Sequence, residues 1–217
     1  MNMKPIMAQI QEQDPDVIMF VEYAPQHHKF FYEKLKSTYP YINRTYPEYT
    51  VIGKVVMSKY PMKDIDLVEN RSVNYTAMTL TLPRGEHDLY LVHMSSPVSN
   101  YYFERRNSQL EQIATEIQKK FIEDPKTQVT IAGDFNVAPR TFNYQKMENI
   151  RAPYVMNITR YINDPYTWKM HELPAVTSHI DHVRTNHDTQ VISVEQQSIE
   201  GSDHQLIFRE YRNYTKQ

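Results

Sequence analysis

The sequence contains no cysteine, and this absence excludes several kinds of site. A chain without thiols forms no disulfide, no zinc–thiolate centre and no cysteine nucleophile. The compartment stays open, because such a chain suits reducing and oxidising surroundings alike. Any metal site in this protein must therefore use oxygen and histidine nitrogen ligands.

Long hydrophobic runs are also missing. No apolar stretch approaches the roughly 20 residues that a bilayer-spanning helix needs, and residues 1–13 are too polar for a signal peptide. We therefore expect a cytoplasmic location by default, or an extracytoplasmic one if a longer parent carries an N-terminal anchor. Without a linker, a charge block or a repeat, residues 1–217 are predicted to form a single domain.

Neither sign of charge dominates the chain, which has 24 Lys and Arg against 26 Asp and Glu and a formal net charge of -2. Dedicated nucleic-acid binders usually carry a basic excess or stripe. The balance disfavours tight, non-specific DNA binding, although a local basic face would still allow nucleic acid as a partner.

Glycine is scarce, with four residues in the whole chain. Gly133 and Gly201 each come just before an acidic cluster, in IAGDFN and EGSDHQ. Because glycine allows sharp turns and close approach of the backbone, these two positions indicate special backbone geometry beside acidic groups.

Hydrophobic periodicity predicts alternating strands and helices. Continuous apolar runs are typical of buried strands, and alternation in residues 75–82 indicates a half-buried strand. Helices are predicted at 3–13, 26–37 and 100–122, and strands at 16–22, 53–59, 75–82, 88–93, 128–133, 178–184, 190–194 and 204–211. Residues 135–175 are expected to be mostly loop, with a short helix near 143–149. This order favours two packed sheets with helices outside.

Polar side chains follow the apolar strands at their ends: Glu22, His93, Asp134, Asn136, Asp181, Asp203 and His204. Rigid strands that end in polar groups are how many scaffolds present a site. Carboxylate oxygens favour Mg²⁺ or Mn²⁺, which share their coordination with water and substrate phosphate. The set therefore indicates phosphoryl chemistry.

Two pairs within this set have chemical meaning. Asp134 and Asn136 are two residues apart and point to the same side of an extended segment. One could orient a water while the other donates to a phosphate oxygen. His204 beside Asp181 would be a general base whose proton affinity the carboxylate raises.

Each residue also has an ordinary interpretation when it is taken alone. Asp134 and Asn136 could form an Asx-turn, His93 could be a structural histidine, and Glu22 a solvated strand end. Arg106 is interpreted as part of a solvated helix start, and Trp168 as loop packing or the lip of a substrate site.

Six ordered segments resemble the endonuclease/exonuclease/phosphatase superfamily, whose fold is that of deoxyribonuclease I. They are PDVIMFVE, GKVVMSKYPM, LVHMSSPVS with RRNSQLEQIA, IAGDFN, HIDHV and GSDHQ, and they span residues 14–207. The His-x-x-Ser-Pro form is similar to a bacterial branch that includes membrane-anchored proteins and lipid-phosphate phosphatases.

The resemblance implies a role for each matching residue. Glu22 binds the metal, Mg²⁺ or Mn²⁺, and Asp203 contributes to a metal or water shell. Asp134 orients the attacking water, and Asn136 holds a phosphate oxygen. His204 is the general base or a phosphate contact, and Asp181 orients it. His93 contacts the phosphate or assists the leaving group.

The resemblance also implies an α/β fold of four layers, a two-layer β-sandwich flanked by helices. The family's domain opens with a strand that carries an asparagine near the metal, whereas this chain opens in the helix that follows. We therefore expect a domain truncated at its N-terminus, with weak or no metal binding, low activity, and either an open sheet edge or self-association through that edge strand.

The predicted function is metal-dependent hydrolysis of a phosphomonoester or phosphodiester. A small-molecule or lipid phosphate fits the neutral charge better than DNA. Two alternatives remain at this point: an endonuclease or exonuclease acting on nucleic acid, and a non-catalytic binding module that keeps the fold.

Overall fold

The computed structural model describes residues 3–45, 53–65, 75–139, 141–142, 144, 166–173, 175–185, 189–200 and 202–213. The short helix predicted near 143–149 and the prediction for Gly201 lie outside these residues. The helices are α1 (Lys4–Gln13), α2 (Pro25–Leu35) and α3 (Asn100–Glu123), close to the predicted ranges. The strands are β1 (Val17–Tyr23), β2 (Tyr41–Thr45), β3 (Gly53–Ser58), β4 (Met62–Asp64), β5 (Tyr75–Leu82), β6 (Gly85–His93), β7 (Val129–Asp134), β8 (Trp168–Lys169), β9 (Thr177–Ser178), β10 (Asp181–Thr185), β11 (Thr189–Ser198) and β12 (Gln205–Asn213).

A five-stranded sheet in the order β10-β7-β6-β5-β4 forms one layer. Strands β6 and β7 are parallel, and the other neighbours are antiparallel. A parallel pair needs a long crossover, which α3 provides. The apolar stripe of α3, including Leu110, Ile113 and Ile117, packs on the outward-facing Tyr90 and Ile131.

The opposite layer begins with a three-stranded sheet in the order β1-β3-β2. Helices α1 and α2 cover its outer face through Ile6, Phe31 and their neighbours, which contact Val55 of β3. On the inner face, Val56 packs against Leu91 and other residues of the five-stranded sheet. The expected four-layer α/β/β/α sandwich is confirmed.

The hairpin β11–β12 completes the second layer but does not pair with the three-stranded sheet among the described residues. A groove of about 920 Å³ separates β1 from β12. Within the described residues β1 pairs only with β3. Only Ile18 and Tyr23 of this strand are buried, so its apolar run does not mark a fully buried strand. The truncation of the domain at its N-terminus stays a prediction.

Several strands differ from the sequence-based assignment for simple reasons. Strand β2 contains Asn43 and Arg44 and has no apolar pattern, but backbone hydrogen bonds to β3 do not depend on the side chains. Strand β4 has only three residues, too few to show an alternating apolar pattern. Residues predicted as one strand at 178–184 divide between β9, which pairs with β8, and β10.

None of the helices in the described ranges has both the length and the hydropathy needed to cross a bilayer.

Candidate active site

Glu22 is aimed by an irregularity near the end of β1. The register runs from Phe20 opposite Val55 to Tyr23 opposite Gly53, so β1 carries one extra residue, a β-bulge. Glu22 adopts φ 53, in the left-handed region that is uncommon for residues other than glycine. Bulges next to active sites re-aim side chains, and here the bulge turns Glu22 away from the regular strand.

Parallel pairing brings His93 and Asp134 to the same edge, because β6 and β7 end opposite each other with these residues in register. The preceding Gly133 has φ 128, and a Cβ there would lie 2.1 Å from the carbonyl oxygen of Val92. The predicted close backbone approach at Gly133 is confirmed, since any side chain would force the two strand ends apart.

Asp134 is buried and held by Asn136. The backbone N–H of Asn136 donates to Asp134 Oδ1 at 2.7 Å, and its side-chain Nδ2 donates to Asp134 Oδ2 at 3.0 Å and to the carbonyl of Met94 at 2.9 Å. An amide has two N–H donors, and both are used here. In this state Asn136 orients Asp134, and its contact to a phosphate oxygen stays a prediction.

The loop that carries Asn136 is in turn held by α3. Arg106 is only 5% exposed, and its Nη1 donates to the carbonyl of Asn136 at 2.8 Å. Gln109 accepts the N–H of Ser95 at 2.9 Å, after the end of β6. The interpretation of Arg106 as solvated was wrong. The first turns of α3 face the loop after β7, and this contact buries Arg106 although its position in the sequence suggested an exposed side chain.

His204 forms the expected pair with Asp181. Its Nδ1 lies 2.8 Å from Asp181 Oδ2, and with a carboxylate as partner this nitrogen must donate. Asp181 also stands opposite Asp134 in the β10–β7 ladder. One carboxylate thus lies between His204 and the end of β7.

His93 connects the two layers. Its Nε2 lies 3.5 Å from Glu22 Oε1 and 4.0 Å from Asp134 Oδ2. Glu22, on the three-stranded sheet, and Asp134, on the five-stranded sheet, therefore face the same imidazole. These contacts bring Glu22, His93, Asp134, Asn136, Asp181 and His204 to one end of the sandwich.

Asp203 lies at the rim of this cluster. Its carboxylate accepts the indole N–H of Trp168 at 3.0 Å, so Trp168 makes a specific hydrogen bond and is not simply loop packing. The metal role of Asp203 stays a prediction.

Burial and neighbouring charges shift the pKa values of Asp134, His204 and His93. Desolvation, reinforced by the charge of Asp181, raises the pKa of Asp134 to about 7. Burial alone would lower the pKa of His204, but the hydrogen bond and charge of Asp181, with the charge of Asp134, raise it to about 9. Desolvation lowers the pKa of His93, although Glu22 opposes that shift.

The donor set fits a divalent cation. The carboxylates of Asp134 and Asp181 lie within 4.8 Å of each other and of a ring nitrogen of His204, and Glu22 lies 3.5 Å from His93 at the same end. The carboxylates are the candidate ligands, because a protonated His204 has no lone pair for a metal. The raised pKa of Asp134 reflects negative charges gathered in a buried space, which a cation would neutralise. With oxygen donors in the majority, the set suits Mg²⁺ or Mn²⁺.

A family model described as the endonuclease/exonuclease/phosphatase family matches residues 1–204. The chain belongs to this family. No curated protein matched the sequence.

Solved structures of similar fold support the architecture. Beta toxin from Staphylococcus aureus aligns with a TM-score of 0.67 and 18% identity, covering 93% of this chain and 88% of the toxin. The human Nocturnin catalytic domain gives 0.74 and 15%, covering 96% and 85%. D. rerio TDP2, complexed with single-strand DNA product, gives 0.71 and 15%, covering 96% and 90%. At these identities the likeness supports the fold alone.

Proposed function

We propose that this family member catalyses metal-assisted hydrolysis of a phosphate ester, and that its substrate is a small-molecule or lipid phosphate. The observation that carries the proposal is the cluster of Asp134, Asp181 and His204 within 4.8 Å, with His93 bridging to Glu22. Clustered carboxylates repel one another unless a cation or a proton is shared between them, so a purely structural site would have little reason to hold them.

In this proposal the carboxylates of Glu22, Asp134 and Asp181 would hold a Mg²⁺ or Mn²⁺ ion. A bound ion supplies polarisation of the phosphoryl oxygen and neutralises its charge. Asp134, fixed on both oxygens by Asn136, orients the attacking water and accepts its proton.

His204 would serve as the cationic contact to the phosphate. With a pKa of about 9 it carries a proton at neutral pH, and Nε2 is left for the substrate because Nδ1 bonds Asp181. A protonated imidazole stabilises the charge of the transferring phosphoryl group and can protonate a departing oxygen. His93 would assist from the Glu22 side.

The preference for a small or lipid phosphate is supported by the balanced charge of the chain, which is -2 overall. Phosphate-backbone binding usually needs several cationic contacts. A nuclease activity is the competing outcome. Because TDP2, which was solved with a single-strand DNA product, has a similar fold, DNA substrates are included in the test.

The test is a screen for phosphate release from soluble phosphomonoesters, diesters and lipid phosphates, together with degradation of single- and double-stranded DNA. Each reaction is run with Mg²⁺, with Mn²⁺ and with EDTA, and Asp134→Ala serves as the inactive control. We expect turnover of a small or lipid ester that needs metal. Metal-dependent turnover of DNA alone would overturn the substrate assignment, and turnover unaffected by EDTA would overturn the mechanism.

A further inference from the structure

The Asp181–His204 pair joins two strands that share no ladder in the described residues. Strand β10, which starts at Asp181, pairs with β7, whereas β12, which follows His204, pairs with β11. A second link, from Arg209 to the carbonyl of Val183, lies farther along these strands. Because β10 and β12 do not pair in the described part of the chain, the 2.8 Å contact between Asp181 and His204 needs another segment to hold the two strands together at the site.

Residues 166–169, which we name the strap, span this gap. Thr167 is fully buried, and its backbone carbonyl accepts the N–H of Gln205 at 2.8 Å at the start of β12. Its Oγ1 accepts the N–H of Ile180 at 3.0 Å and that of Asp181 at 2.9 Å. One residue thus holds both strands.

The hydroxyl of Thr167 does not form a local turn. The N–H groups that it accepts come from residues 13 and 14 positions later, and a hydroxyl oxygen has two acceptor lone pairs. Both are used to fix the backbone from which the Asp181 carboxylate projects. Ile180 also accepts the N–H of Phe135 at 2.9 Å, so the same point is tied to the residue after Asp134.

The strap reaches the other side of the site as well. Trp168 bridges to His204 through the backbone and donates its indole N–H to Asp203. The N–H of Lys169 donates to the carbonyl of Asp203 at 2.9 Å. Backbone and side-chain bonds from three consecutive strap residues therefore end on the segment that carries His204.

We propose that Thr167 is a positioning residue, whose hydroxyl sets the Asp181 backbone and thereby the Asp181–His204 hydrogen bond. This inference rests on the proposed function insofar as it predicts turnover. Thr167 touches neither substrate nor reacting atoms. Misplacement of a catalytic group by about 1 Å can cost about 10²-fold in rate, so the effect of losing this hydroxyl should appear in kcat.

The experiment compares Thr167→Val, which keeps the shape and removes both acceptor sites, with Thr167→Ser, which keeps the acceptor and loses a methyl group. Thr185→Val is the matched control, because Thr185 is also buried on β10 and its hydroxyl has no hydrogen-bond partner among the described residues. Thermal unfolding and circular dichroism report on the fold of each variant.

We expect Thr167→Val to lower kcat by about 10²-fold with little change in KM, and Thr167→Ser and Thr185→Val to keep kcat within about threefold. Equal kcat in Thr167→Val and wild type would overturn the proposal, as would equal losses in the Val and Ser variants. If Thr167→Val does not fold, Trp168→Phe carries the test: a loss confined to kcat supports a positioning strap, and a rise confined to KM contradicts it.

A readout without substrate separates this inference from the proposed function. The His204 Nδ1 proton, bonded to a carboxylate, should give a downfield resonance in the proton NMR spectrum, assigned by its absence in His204→Asn. We expect that resonance in wild type and Thr167→Ser and its loss or upfield shift in folded Thr167→Val. This pattern in an enzyme that hydrolyses no probe would reject the proposed function and retain the role of Thr167. An unchanged resonance in Thr167→Val would reject that role.

Discussion

The two β-layers of the sandwich differ in continuity. The five-stranded layer is an unbroken ladder whose central residues, such as Tyr90 and Ile131, are fully buried under α3. The facing layer consists of a three-stranded sheet and a separate hairpin, with a groove of about 920 Å³ between them. The candidate active site draws on both: His93, Asp134, Asn136 and Asp181 belong to the continuous layer, and Glu22 and His204 to the divided one.

This difference explains how the site is held. The β6–β7 pairing by itself brings the backbones of Asp134 and His93 together, because adjacent parallel strands end together. Glu22 depends on a bulge, and His204 depends on contacts made by the strap. Where the ladder is interrupted, side-chain and loop hydrogen bonds do the positioning that sheet pairing does elsewhere.

Metal removal is the most severe test of a site shared between the layers. Without a cation, nothing neutralises the clustered carboxylates or polarises the phosphoryl group, so we expect EDTA to abolish turnover. Glu22→Gln should weaken Mg²⁺ or Mn²⁺ binding, measured by isothermal titration calorimetry, because it removes the charged ligand of the divided layer. Undiminished affinity in this variant would leave the continuous layer as the sole metal scaffold.

Replacing one catalytic group in each layer tests whether both halves contribute to the chemistry. We expect Asp134→Ala and His204→Ala each to lower kcat by at least about 10²-fold, the usual scale for positioned acid–base groups. Both lie at strand ends, so circular dichroism should be unchanged. Asp124→Ala and His171→Ala, at exposed positions, are the controls. A near-normal kcat in His204→Ala alone would remove the divided layer from the mechanism.

Packing variants compare the two layers directly. Ile131→Ala should lower the free energy of unfolding by about 2–5 kcal/mol, since Ile131 is fully buried on the continuous sheet. Met19→Ala should cost less, about 1 kcal/mol, because Met19 is half-buried and lines the groove. Urea titrations measure both. Equal costs would indicate that the groove is filled in solution.

Acid provides a milder probe of the contact between the continuous sheet and the hairpin. Burial lowers the pKa of His87 on β6 to about 4, and its ring packs 5.8 Å from that of Tyr211 on β12. The unfolded state takes up the proton near pH 6.5 and the folded state only near pH 4, so stability is complete above pH 6.5 and falls between these values.

From this shift we expect the free energy of unfolding to drop by about 2 kcal/mol between pH 7 and pH 5 on account of His87. Denaturant titrations at the two pH values measure the drop, and His87→Gln should reduce it. A drop of the same size in that variant would assign the acid sensitivity to other groups.

Much of the molecule was predictable from local pattern. The alternation in residues 75–82 matches β5 (Tyr75–Leu82), and the 3.6-residue stripe matches α3. Short strands without an apolar pattern, such as β2, could not be predicted, because a neighbouring backbone and not their side chains stabilises them. The buried positions of Arg106 and Thr167 were missed for a related reason: their partners are distant in sequence.

The sequence by itself determined the order of apolar strands along the chain, the family and the residue types that end these strands, because periodicity and ordered motifs are local properties. Tertiary structure alone decided that Glu22 lies at a bulge, that Asn136 uses both amide protons on Asp134 and Met94, and that Thr167 ties β10 to β12. These features arise from which strand ends meet and which ladders stop, and the register of distant segments sets both.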